Sequence, residues 1–188
     1  MQDVSALEQK LSLVFKNRDL LVQSLTHRSY INENPSFALG HNERLEFLGD
    51  AVLELVITEA LYLKFPDKPE GELTSFRASL VNANMLSTVA LDIGLNEFLQ
   101  LSRGEAKDVG RARHYILANA FEAVVGAIYL DQGYGAVEKF LKNMVMPHID
   151  EVVAKELYKD PKSRFQEEAQ ERTSLTPTYE VVREWGPD

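Results

Sequence analysis

The chain has no cysteine among its 188 residues. That excludes a disulfide framework, a thiolate metal site and a thiol nucleophile. No apolar run approaches the ~20 residues that a membrane-spanning helix needs. The opening stretch, MQDVSALEQKLSLVFKNRDLL, lacks the basic-then-apolar pattern of a secretory signal. The expectation is a soluble, cytoplasmic protein with no membrane partner. Tryptophan occurs once, and up to position 155 no stretch alternates polar and apolar residues as a half-buried strand does. Cations are also short, with 20 Lys and Arg against 29 Asp and Glu and a net charge of −9. Phosphate contacts need Lys and Arg, so this balance counts against a nucleic-acid partner. It does not exclude one, because a nuclease also carries carboxylates for its metals and basic side chains can cluster locally.

What is present reads mostly as helix. Val4, Leu7, Leu11 and Val14 recur at helical spacing over 3–15, and Asp19 stands where it can cap a second helix holding Leu20, Leu21 and Leu25. INENPSFALGHN is a loop by its Asn, Pro and Gly content. A long helix follows from about Asn42 to Phe65, stopped by Pro66. ELTSFRASLVNANMLSTVALDIGL gives one or two helices, and NEFLQLSRGEAKDVGRA a short helix and a loop. HYILANAFEAVVGAIYLDQGYG is a strongly apolar helix closed by glycines. GAVEKFLKNMVMPHIDEVVAK is amphipathic and ends near Lys155. Residues 1–156 therefore read as one all-α domain. Beyond a Pro-containing linker, KDPKSRFQEEAQERT reads as a short helix, and LTPTYEVVREWGPD as a strand with Trp185 in a core. One helix and one strand cannot bury a core of their own. Residues 160–188 are thus expected to be the incomplete first part of an α+β domain.

The acids are placed at a cost. HNERLEFLGD, positions 41–50, carries Glu43, Glu46 and Asp50 at intervals of three and four residues. Each like-charged neighbour pair on a helix costs ~0.2–0.5 kcal/mol. Near apolar surface, desolvation adds more unless a cation answers the charge. Within YILANAFEAVVGAIYL the only strongly polar residues are Asn119 and Glu122, which share one face. Gly126, a poor helix former at ~1 kcal/mol against Ala, suits a place where another backbone packs close. If the two helices cross with these faces together, they form an oxygen-lined pocket suited to a hard cation such as Mg2+. The alternative is that Arg44, Arg77 or Lys64 neutralises the acids, since ion-pair networks imitate functional sites. Spacing alone leaves both open.

NERLEFLGD at 42–50, with LTHRSY before it at 25–30 and EGELT, FRASLV and FEAVVGAIYLDQGY after it in order, resembles ribonuclease III, the endonuclease family that cuts double-stranded RNA. DPKSRFQEEAQE and TPTYEVVREWGPD resemble the opening of the double-stranded-RNA-binding domain that follows the nuclease domain in bacterial members. The resemblance covers essentially the whole chain. It implies an all-α nuclease domain of the ribonuclease III fold, working as a homodimer with one cleavage centre per subunit. It implies Mg2+, replaceable by Mn2+, held at Glu46, Asn119 and Glu122, with Asp50 and Glu122 as catalytic carboxylates. Glu43 and Glu70 match outer acidic residues, and Phe47 matches an aromatic that inserts into the partner subunit. The implied reaction is hydrolysis of duplex RNA to 5′-phosphate and 3′-hydroxyl ends, with ribosomal RNA precursors and structured messenger RNAs as substrates. Gln166 and Glu167 lie on the tail helix that, by resemblance, enters the RNA minor groove.

One departure matters. Asn119 stands where the family carries aspartate; its amide oxygen can still coordinate a metal but brings no charge. A second reading follows, a non-catalytic or weakly active double-stranded-RNA-binding dimer. Retention of Glu43, Glu46, Asp50, Glu70 and Glu122 speaks against it, because a decayed site has no reason to keep costly carboxylates. A purely structural helical protein is a third reading, and it must explain the acids by salt bridges alone. Arg103, Lys107, Arg111 and Arg113 form a locally basic stretch that is either a solvated loop or a contact for RNA phosphates. His27 reads as a hydrogen-bonded structural histidine, not a metal ligand.

Overall fold

Two long helices touch backbone to backbone, and the other helices pack around them. The computed structural model describes residues 3–156, 158, 161–183 and 185, without the side chains of 161, 163, 164 and 167. In chain order the helices are α1 (Ser5–Leu11), α2 (Arg18–Ser24), α3 (Arg28–Glu33), α4 (Glu43–Lys64), α5 (Glu70–Leu80), α6 (Ala83–Asp92), α7 (Arg111–Gln132), α8 (Tyr134–Met144), α9 (Ile149–Ala154) and α10 (Pro161–Thr173). Short 3-10 turns follow α6, precede α7 and join α8 to α9. The only β pairing among the described residues is an isolated bridge between Thr26 and Gln100. No described helix is long and apolar enough to cross a membrane. The all-α reading holds over residues 3–156.

Several boundaries differ from the sequence expectation, each for a local reason. α1 stops at Leu11 because Ser12 takes a left-handed φ of 54°. Asn17, not Asp19, caps α2, its side chain accepting the Asp19 N–H at 3.1 Å. α3 begins in LTHRSY and runs into the segment read as a loop; His27 caps it by accepting the Ser29 N–H. The amphipathic stretch after Gly133 breaks into α8 and α9 around Pro147.

The tail is a larger correction. Its helix forms as α10, but residues 175–183 make no strand. Trp185, read as core, is 78% exposed. A strand needs neighbours to satisfy its ladder, and none of the described residues offers one.

α7 runs through the interior. Leu117, Phe121, Val124, Val125 and Ile128 are buried there, and from α4 Leu53, Val56, Ile57 and Leu61 pack with them in the same core. The two helices approach closely enough that a Cβ on Gly49 would lie 1.8 Å from the Glu122 carbonyl oxygen. A Cβ on Gly126 would lie 2.3 Å from the carbonyl oxygen of Leu45. Both obstacles are backbone, which cannot swing aside as a side chain does. The N-terminal helices are tied to this pair: the Asp131 carboxylate at the end of α7 accepts the N–H groups of Lys16 and Asn17 at 2.9 and 2.8 Å. The buried Glu8 receives Arg18 at 2.7 Å and the Phe15 N–H at 2.9 Å, so its charge is answered.

Ala has the higher helix propensity, by ~1 kcal/mol over Gly. At Gly49 and Gly126 that gain is overridden, because the helices must separate; each Gly→Ala change is expected to destabilise by ~1–3 kcal/mol or more. Gly71→Ala, in α5 with nothing within 4 Å of its added Cβ, is expected to be neutral or stabilising. Urea unfolding midpoints of the three variants check this, and Gly49→Ala as stable as the parent would refute the backbone contact.

Candidate active site

The glycine crossing decides which side chains meet. Asp50 adjoins Gly49, and Glu46 stands one turn earlier on the same side of α4. Glu122, whose carbonyl faces Gly49, carries its carboxyl into the space beside them. Burial first, then the charges of Asp50 and Glu46, push its pKa up to about 7. Glu46 is shifted upward as well, by burial and then by Glu43 and Asp50. Asn119 lies one turn before Glu122 on α7, half-buried, and its side chain makes no hydrogen bond among the described residues. The two helices thus bring together Glu46, Asp50 and Glu122, with Asn119 on the same face of α7.

Two of the three cations that could have neutralised these acids are engaged elsewhere, and the third, Arg44, is solvent-exposed. Lys64 pairs with Asp150 at 2.8 Å. Arg77 donates to the Thr58 hydroxyl at 3.1 Å. Among the described residues neither these two nor Arg44 forms an ion pair with Glu46, Asp50 or Glu122. The neutralisation alternative therefore fails in this structure. The donors are all oxygens, three charged and one neutral, which suits a hard dication. Among the described residues no three carboxylate or imidazole groups already converge tightly enough to hold a metal by themselves.

The outer residues fall in different places. Glu43 is exposed in the first turn of α4, 3.7 Å from Arg28 Nη1 and 3.7 Å from His41 Nδ1. Glu70 begins α5, where its carboxylate accepts from Thr74 at 2.9 Å. It lines a recess with Thr58 and Tyr62. Thr58 is eight residues beyond Asp50, or ~12 Å along α4. The structure therefore does not bring Glu70 to Glu46 and Glu122 within one chain. Phe47 is 81% exposed on α4, with Leu55 at 58% and Tyr62 at 69% continuing the same side.

The basic stretch divides in two. Arg113 is tied to Asn96 at 2.9 Å and to the Glu105 carbonyl at 3.5 Å, so it fastens the preceding loop. Arg103 and Lys107 are exposed, and the Arg103 backbone N–H donates to Glu33. Arg111 is exposed and donates to the Tyr115 hydroxyl at 3.2 Å. Gln166 is partly exposed on α10. The side chain of Glu167 lies outside the described residues. His27 is structural, as expected, and burial holds its imidazole below its ordinary pKa.

Sequence reading missed Gly49, whose signal, a glycine inside an apolar helix, was the same as that of Gly126. It also missed Arg28 and His41, whose relation to Glu43 is tertiary.

Comparison with known proteins agrees with this geometry. The family profile described as ribonuclease-III-like matches residues 17–149. The chain is 49% identical to ribonuclease 3 of Desulforamulus reducens, over 100% of this chain and 77% of that protein. It is 46% identical to ribonuclease 3 of Bdellovibrio bacteriovorus, over 99% of this chain and 80% of that protein. Among solved structures, the nuclease domain of ribonuclease III from Campylobacter jejuni superposes with a TM-score of 0.70 at 37% identity, covering 77% of this chain and 97% of that one. Dicer from Pichia stipitis superposes with a TM-score of 0.55 at 27% identity, covering 90% of this chain and 75% of that one. A helical core crossed at two glycines, with acids gathered at the crossing, thus belongs with sequence identity along the whole chain: the protein is a member of the ribonuclease III family of endoribonucleases.

Proposed function

We propose that this endoribonuclease cuts double-stranded RNA in a divalent-metal-dependent reaction, acting as a symmetric homodimer with Mg2+ as cofactor and Mn2+ able to replace it. The observation that carries the reading is Glu122, a half-buried carboxylate beside two others with no cation to answer it. A protein that keeps such a group unpaired sacrifices stability for a site. Glu46, Asn119 and Glu122 would hold the ion. Bound there, Mg2+ supplies positive charge to the phosphodiester and makes water easier to deprotonate near neutral pH. Asp50 stands exposed beside them, placed to receive a proton from the attacking water. Glu43 and Glu70 are outer acids of the reading, and exposed Arg103, Lys107 and Arg111 favour the phosphate backbone. The products are 5′-phosphate and 3′-hydroxyl ends, and the substrates ribosomal RNA precursors and structured messenger RNAs. Exposed Phe47, Leu55 and Tyr62 form an apolar strip that favours a second copy of the chain over solvent. Asn119 supports a second reading, a duplex-RNA-binding dimer with weak turnover. Cleavage of long duplex RNA with Mg2+ tests the first reading against the second.

Glu122→Gln is expected to abolish cleavage while leaving the fold and the dimer intact. The same variant tests the electrostatics. Glu122 binds its proton more tightly in the folded chain, up to about 7, than at its ordinary value of 4.5. Metal-free protein should therefore lose stability as pH rises through that window. Glu122→Gln should flatten the fall, read as Tm between about pH 5 and about pH 8 without metal. Parallel curves for parent and variant would count against it.

Phe47→Asp is expected to give a monomer in sedimentation at micromolar concentration and to lose duplex-RNA cleavage with it. A dimer that survives this change would remove Phe47 from the interface.

Asn119→Asp restores a charge to the donor set without changing its shape. It is expected to lower the metal concentration needed for half-maximal cleavage, with a far larger gain at low metal than at saturation, and Mn2+ should partly rescue the parent. Identical midpoints for both proteins would mean that another acid already supplies the charge.

A further inference from the structure

We propose that Arg111 and Tyr115 form a phosphate-binding step on the same helix face as the acidic centre, holding the RNA strand at a phosphodiester a few nucleotides from the one being cut. This rests on the reading of the site as a duplex-RNA nuclease. Arg111, Tyr115, Asn119 and Glu122 follow one another on α7 at intervals of four, four and three residues, so they share one face of the helix. Along the axis Tyr115 is ~6 Å from Asn119 and ~10 Å from Glu122, and Arg111 is ~16 Å from Glu122, so the pair meets the strand a few phosphates away from the acids.

The local chemistry is that of an anion contact. Arg111 donates to the Tyr115 hydroxyl oxygen at 3.2 Å, with the guanidinium 5.8 Å from the ring centroid. The hydroxyl proton is thereby left to donate outward, and the remaining guanidinium N–H groups have no partner among the described residues. Both side chains are exposed. They border a surface recess of about 570 Å3 shared with Asn84, Val109 and His114, and no carboxylate lines it. In a chain with a net charge of −9, a recess lined by Arg111 and by no carboxylate favours a phosphate; the nearest acid, Asp108 at its edge, is held by the Gly110 N–H at 2.7 Å. Arg111 supplies charge, and Tyr115 acts as a positioning residue that fixes the guanidinium and adds one donor.

The test uses the full chain. Affinity for a duplex RNA is measured by fluorescence anisotropy across a salt series in the Glu122→Gln background, so that binding is read without cutting. Adding Arg111→Gln should weaken binding and lower the slope of log affinity against log salt by about 1, the signature of one lost phosphate contact. Arg111→Lys should keep the slope. Lys142→Gln on α8, a change of equal charge away from the recess, should leave the slope unchanged. In otherwise unaltered protein, Tyr115→Phe should raise KM several-fold at unchanged kcat. An unaltered slope in Arg111→Gln, or an equal drop in Lys142→Gln, would overturn the assignment alone. An unaltered KM in Tyr115→Phe would overturn the role of that hydroxyl. Absence of any duplex-RNA binding in the Glu122→Gln background would overturn the reading of the site and this assignment together.

Discussion

Everything in this molecule hangs on the contact between α4 and α7 at Gly49 and Gly126. Two backbones meet where a single Cβ would lie 1.8 Å from a carbonyl oxygen. The closeness serves packing, but it also sets the register of the acids. Glu46, Asp50 and Glu122 ride on residues within a turn of the crossing, so the spacing of the two helices governs how near the α4 acids stand to Glu122. Shifting one helix outward by the width of a methyl group would open the acidic site along with the core. Glycine at these positions is thus a constraint of function as well as of packing, and neither role can be relaxed without the other.

The acids carry an energetic consequence. The protein answers its other buried charge fully: Glu8 has Arg18 and the Phe15 N–H. Asp131 is likewise satisfied by two backbone donors. The same chain leaves Glu46 and Glu122 to repel each other and Asp50, with their proton affinities raised. Lys64 lies further along α4 and Arg77 on α5, and they are turned to Asp150 and Thr58. A fold able to pair its charges that declines to do so at one place marks that place as a site.

Much of this was legible in the sequence, and the rest fails for identifiable reasons. α4 and α7 were readable because their apolar pattern is long and their ends carry Pro66 and Gly133. The four oxygen donors were readable because polar residues at helical spacing stand out in apolar surroundings. α3 was hidden, since Asn and Pro dominate its flank and its start depends on a His27 cap, an uncommon device. The tail misled for the opposite reason: its alternation is strand-like, but pairing needs neighbours that the described residues do not supply, and Trp185 is exposed. The position of Glu70 could not be read either, because where a loop carries α5 relative to α4 is tertiary information. Asn119 is the sharpest case. Its place on the helix follows from periodicity, yet its significance rests on the missing charge, which periodicity does not register.

A polarity also runs along α7 that composition conceals. A net charge of −9 argues against RNA if charge is taken as a total. Taken by position, the helix begins with Arg111 and Tyr115, passes Asn119 and reaches Glu122 at the crossing. Cation and acid occupy one face in sequence, a few turns apart. An extended polyanion meeting that face encounters donors at one end and the acidic cluster at the other. On this face of α7 the only acid is Glu122 at the crossing, and the turns before it carry Arg111, Tyr115 and Asn119. Charge segregation along a single helix, fixed by the same crossing that sets the carboxylates, reconciles an acidic protein with a nucleic-acid substrate.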